Sequence, residues 1–143
     1  MTPQRVSLIT LGVADLDRAR SFYSALGWEP VPSPPAVVFY QLDGLVLGLF
    51  GLEPMAEDQG RPGKLLETGA LSLAQNFVDE ASVDAAFDAA VAAGATPLKV
   101  PEATFWGGYS GQYADPDGHV WEAAYNPFWK IDPDGRITIP MSE

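Results

Sequence analysis

A chain of 143 residues is long enough for one ordinary domain with its own core, and 47% apolar residues exclude a disordered composition. A formal net charge of −11 argues against a nucleic-acid backbone or an anionic membrane surface as partner. The absence of cysteine excludes disulfides, thiolate metal sites and cysteine nucleophiles, and it fits a reducing cytoplasm, where the protein is expected.

The opening stretch MTPQRVSLITLGV lacks the long apolar core and cleavage site of a signal peptide. No apolar run approaches the roughly 18 residues of a membrane helix, so no membrane span is expected. Within that stretch Val6–Val13 is β-branched and apolar and predicts a buried strand. The following DLDRARSFYSALG predicts a helix, capped by Asp15 and closed at Gly27. Leu16, Ala19, Phe22, Tyr23 and Leu26 recur at helical spacing and give it one apolar face. VPSPPA interrupts regular structure, because proline supplies no backbone donor. VVFYQLDGLVLGLFG then predicts two strands around a two-residue turn at Asp43-Gly44, with Phe39 opposite Gly48 and Gln41 opposite Val46. The polar stretch from Glu53 to Lys64 predicts an exposed linker.

Beyond the linker the order repeats. Ala70–Val78 predicts a strand, and the alanine-rich stretch that follows predicts an amphipathic helix with Ser82 as cap and Gly94 as stop. TPLKV predicts a short strand, and a second hairpin is expected around a four-residue turn, Asp115–Gly118. That turn sets Gly111 opposite Glu122 and Tyr113 opposite Val120. Landmarks of the two halves recur about 65 to 75 residues apart (Val13 with Val78, Gly27 with Gly94, Gly44 with Gly118), which indicates a duplicated strand–helix–strand–strand–strand module. The expected organisation is a first module over 5–52, a linker over 53–69, a second module over 70–126 and a tail over 127–143 that turns at Asp132–Gly135.

Two βαβββ modules, with GVADLDRARSFYSALGWEPV near the start and DPDGHVWEAAYNP near the end, resemble the vicinal oxygen chelate superfamily of glyoxalase I, bleomycin-resistance proteins and extradiol dioxygenases. The resemblance covers about residues 5–128. It implies an α+β fold, two βαβββ modules with curled mixed sheets enclosing a cavity. It also implies, for the family's enzymes, a divalent metal held by up to four side chains from the first and last strands of each module. Carried over one position at a time, those ligand positions fall on Leu8, Gly48, Leu73 and Glu122. Leucine and glycine supply no donor, and a divalent catalytic ion normally takes about three protein ligands. His119, the only histidine, lies an odd number of residues from Glu122 and therefore points to the other side of the strand. No metal and no other cofactor is expected.

The cavity wall implied by strand alternation comprises Thr10, Phe39, Gln41, Phe50, Gln75, Tyr109, Tyr113 and Glu122 among aliphatics, with Trp106 placed as a lid. An apolar lining with a few polar groups is the usual make-up of a small-molecule pocket. Glu122 carries the most chemistry, because a carboxylate on a buried face needs a partner or must become neutral, and a group poised between those states suits acid/base work. WGGYSG is not a phosphate loop, since a strand rather than a helix N-terminus follows it. Its glycines are expected to let the strand bend or another backbone approach. Three functions stay open: a metal-free protein binding an apolar or aromatic small molecule; a lyase, isomerase or dioxygenase using Glu122; and an interaction protein with a vestigial cavity. A homodimer contact is expected near Trp129 and the tail hairpin.

Overall fold

Punctuation by glycine, proline and aspartate sets the element boundaries of the computed structural model, which describes residues 2 and 4–140. Met1 and Pro3 of the stretch read for a leader, and 141–143 of the tail, lie outside the described residues. The chain divides into two compact units, Met1–Glu67 and Thr68–Glu143.

The first unit contains β1 (Leu8–Val13), α1 (Leu16–Ala25), β2 (Val37–Gln41), β3 (Val46–Gly51) and α2 (Leu52–Asp58). Its mixed sheet has the order β1-β3-β2, with β1 parallel and β2 antiparallel to β3. The hairpin register is the one expected from Asp43-Gly44: Phe39 pairs with Gly48 and Gln41 with Val46. In place of a further strand before β2, the proline-rich segment makes a single bridge, Val31 with Phe39. The Asp15 carboxylate accepts from the Arg18 N–H and caps α1, as its sequence position predicts. Ala19, Phe22 and Tyr23 of α1 are buried with Val38, Tyr40, Leu47 and Leu49 of the sheet. Tyr23, Trp28 and Tyr40 form an aromatic cluster with ring centroids 5.5 to 5.9 Å apart.

One reading of the linker is corrected here. Residues Leu52–Asp58 form a helix, α2, rather than an exposed coil. Its Leu52 and Met55 side chains occupy the space a Cβ on Gly12 would need, at 2.8 and 3.0 Å, so glycine there admits the helix.

The second unit contains β4 (Ser72–Asn76), α3 (Glu80–Ala93), β5 (Thr96–Ala103), β6 (Tyr109–Ala114), β7 (Val120–Tyr125), β8 (Lys130–Ile131) and β9 (Ile137–Thr138). Its main sheet runs β4-β7-β6-β5, with only the β4–β7 pairing parallel. The β8–β9 hairpin closes the expected tail turn, with Ile131 opposite Ile137. α3 starts at Asp79, whose carboxylate accepts from the Ser82 N–H at 2.8 Å. The cap expected at Ser82 is therefore supplied three residues earlier. Gly94, at φ +115°, ends the helix in the left-handed conformation that glycine adopts without strain. A Cβ on Gly111 would lie 2.8 Å from the ring and backbone of Pro101, so this glycine permits the close approach expected of the Gly-rich stretch.

Candidate functional site

Each sheet has one face against its long helix and one face turned away, and strand alternation assigns every residue to one of them. In the first unit the face away from α1 carries Leu8, Thr10 and Gly12 of β1, Val46, Gly48 and Phe50 of β3, and Val37, Phe39 and Gln41 of β2. Thr10, Phe39, Gln41 and Phe50 therefore share one face, as their spacing predicts. A Cβ on Gly48 would meet the Phe39 ring at 3.1 Å and Thr10 Oγ1 at 3.5 Å, which shows how closely these three residues adjoin. Phe39, Phe50 and Thr10 are half-buried. Gln41 is exposed and donates from Nε2 to the Leu42 carbonyl at 2.8 Å.

The second unit corrects the register expected around Glu122. Asp115 closes the turn as a partner of His119, with its N–H donating to the His119 carbonyl at 2.9 Å. The Asp115 carboxylate also accepts from the N–H groups of Asp117 and His119, and Gly118 takes φ +89°. These bonds draw Asp115 and His119 into the ladder and leave a three-residue loop. Its odd length shifts the pairing by one residue and moves a whole set of side chains to the other face. Glu122 pairs with Gln112, and Tyr113 pairs with Trp121. On the parallel side Glu122 pairs with Ala74, whereas Leu73 pairs with Trp121 and Gln75 with Ala123.

Tyr109, Tyr113 and Gln75 consequently lie on the α3 side, away from Glu122. Tyr113 makes an edge contact with Phe87 of α3, at 6.4 Å between centroids. Burial pushes its hydroxyl up to about 12, with the Asp115 carboxylate adding to the effect. The Tyr109 hydroxyl donates to Asp84 Oδ1 at 2.7 Å. That bond, with desolvation and the charges of Asp84 and Glu80, holds Tyr109 up to about 12. Trp106 is 40% exposed, and its ring lies against Gly108, where any side chain would overlap it.

The face that does carry Glu122 comprises Ser72, Ala74 and Asn76, then Val120, Glu122 and Ala124, then Ser110, Gln112 and Ala114, which pair on β5 with Glu102, Lys99 and Thr96. Glu122 and Gln112 are half-buried. Among the described residues, neither side chain has a hydrogen bond or ion pair. The expected set leaves out Gln112 and Ser110 because it takes the turn at Asp115 as four residues, and Asn76 because it sets Leu73 and Gln75, rather than Ala74, on the face of Glu122. The signal for Gln112 and Ser110 is the aspartate itself, whose side chain bonds backbone two residues on.

The donor set of the ligand positions does not fit a divalent ion. Leu8 and Gly48 offer no donor, and Ala74, the residue beside Glu122, offers none either. Among the described residues no three His, Cys, Asp or Glu side chains come together in a group able to hold a metal. No helix of the described residues is long and apolar enough to cross a membrane.

Two units, each with a parallel strand pair bridged by a helix and completed by antiparallel strands, define a mixed-sheet α+β protein of the glyoxalase type. The chain belongs to the Glyoxalase/Bleomycin resistance protein/Dioxygenase superfamily, whose model matches residues 5–123. A glyoxalase-related enzyme from Fulvimarina pelagi is 39% identical, with a TM-score of 0.90 over 97% of this chain and 100% of that one. A lactoylglutathione lyase from Agrobacterium tumefaciens is 25% identical, with a TM-score of 0.69 over 90% of this chain and 98% of that one. A superfamily member from Burkholderia phytofirmans PsJN, at 21% identity and a TM-score of 0.71 over 83% and 96%, shares the fold. Among curated proteins, none matches the chain.

Proposed function

We propose that this protein is a metal-free member of its superfamily that binds a small apolar or aromatic molecule, with the sheet face turned away from α3 as the site. The observation that carries the reading is Glu122: a half-buried carboxylate flanked by alanine and valine, with no partner among the described residues. A polar group left without a bond in such a place is stabilised by a ligand that supplies one. Taken by itself, the first unit's sheet carries half-buried Phe39 and Phe50 on its open face, aromatic surface suited to apolar compounds.

Two measurements test this. Metal analysis of protein purified without chelator is expected to find no stoichiometric metal, and divalent cations are expected to leave the melting temperature unchanged. Stoichiometric metal or clear cation-dependent stabilisation overturns the metal-free reading. A thermal-shift screen of small aromatic compounds is expected to give hits whose shifts shrink in Glu122→Gln; hits that persist unchanged reduce Glu122 to a structural residue.

A second reading is supported by the 39% identity to a protein described as a glyoxalase-related enzyme. In that reading Glu122 moves a proton to or from a bound carbonyl compound, the work a positioned carboxylate performs in acid/base catalysis. Turnover of such a substrate that is lost in Glu122→Gln, with binding retained, would favour it.

A further inference from the structure

We infer that Gln112 and Glu122 act together as a donor–acceptor pair that reads an N–H group lying next to a C=O group, as found in a lactam, imide or other cis-amide. This rests on the ligand-binding reading above and names the chemical class of the ligand. The two residues are direct cross-strand partners on one face. Their Cβ atoms are therefore about 4.5 to 5.5 Å apart. Glutamate and glutamine have the same length and shape, so both head groups can reach the same height above the sheet. β7 and β6 are the two inner strands of the sheet, flanked by β4 and β5. The pair thus sits on rigid elements rather than at an edge or on a loop.

The chemistry of the pair is asymmetric. Ionised, the Glu122 carboxylate only accepts hydrogen bonds, whereas the Gln112 amide also donates two. Two side chains of this length could satisfy each other, yet no bond between them or to any other described residue is made. The matching ligand edge gives an N–H to Glu122 and receives an N–H from Gln112. A ligand carboxylate placed beside Glu122 is disfavoured by repulsion, and the nearby cation Lys99, which pairs with Gln112 from β5, is already engaged by Glu102 at 3.3 Å. Ala74, Ala114, Val120 and Ala124 on the same face are small and apolar, and Lys99 of β5 pairs with Gln112 on the side away from Glu122.

The probe is 2-quinolinone, a flat aromatic lactam, compared with its N-methyl derivative, which lacks the N–H. Calorimetric titration of the full chain is expected to show 2-quinolinone binding at least about tenfold more tightly than the N-methyl compound, since a buried acceptor left without its donor is costly. Gln112→Met keeps the length and removes both hydrogen-bonding groups. It is expected to weaken 2-quinolinone by about tenfold while changing the N-methyl compound little. Equal affinity for both probes, or a Gln112→Met effect equal on both, overturns the donor–acceptor pair. Failure of both probes to bind the unmodified protein also overturns it. The broader binding reading is judged separately, by whether other compounds in the screen give shifts that depend on Glu122. Circular dichroism of Gln112→Met confirms that the comparison is made on folded protein.

Discussion

Tyr113 and Glu122 show how much one residue of register decides. The sequence places them on one face, and the structure places them on opposite faces, with the Tyr113 ring packed under α3. Burial there favours the neutral phenol, and the Asp115 carboxylate disfavours a second negative charge beside it. The folded value is about 12 against the ordinary 10.0. Because the folded state holds its proton where the unfolded state releases it, the stabilising contribution is present in full below pH 10.0 and is lost as the pH rises towards about 12. Urea denaturation across that range is expected to show stability falling by up to about 2 kcal/mol more in the unmodified protein than in Tyr113→Phe. Parallel slopes for the two proteins would mean that Tyr113 titrates normally.

At the scale of elements, the legible parts were those whose geometry follows from chain-local chemistry. Asp43-Gly44 allows one hairpin length, and the register of β2 on β3 follows from it directly. Helices α1 and α3 were legible from their apolar spacing and their terminal glycines. Three features were hidden for identifiable reasons. The Asp115 side chain reorganises its own turn, which sequence spacing alone does not reveal. α2 lacks a side-chain cap and contains Pro54, so it reads as a linker until Gly12 is seen to admit it. The cap of α3 moves from Ser82 to Asp79 because the carboxylate reaches the N–H three residues on, whereas Ser82 lies inside the helix. That last correction has a measurable consequence. The side-chain and backbone bonds of Ser82 hold the Asp79 carboxyl below its ordinary value of 3.8. Its stabilising contribution is therefore present above pH 3.8 and disappears as the pH falls through the lower folded value. Asp79→Ala is expected to melt at a lower temperature than the unmodified protein at neutral pH, with the gap closing in acid, whereas Ser82→Ala, which keeps the backbone donor, is expected to cost less at neutral pH. A larger loss from Ser82→Ala at neutral pH would return the cap to Ser82.

For the whole molecule, the division into Met1–Glu67 and Thr68–Glu143 predicts where the chain is most open to cleavage. Proteolysis needs a stretch of backbone that can leave its hydrogen bonds and enter a protease cleft, which exposed segments between cores provide most cheaply. The segment between α2 and β4 meets that requirement. It has no regular structure from Arg61 onward, and Lys64 and Leu65 are exposed, Leu65 to 76%. Of the eight lysines and arginines, Arg5, Lys130 and Arg136 lie near the two ends, where a cut trims the chain without dividing it into its units. Arg18 and Arg20 lie within α1, Lys99 lies within β5, and Pro62 follows Arg61 and blocks cleavage there. The first internal cut under limiting trypsin is therefore expected at Lys64-Leu65, giving fragments 1–64 and 65–143 by intact mass. Lys64→Gln is expected to lengthen the lifetime of the intact chain substantially. If the first internal cut falls instead after Arg18, Arg20 or Lys99, local opening of α1 or β5 is cheaper than access to the connecting segment, and the boundary at Glu67 is not the most easily opened part of the fold.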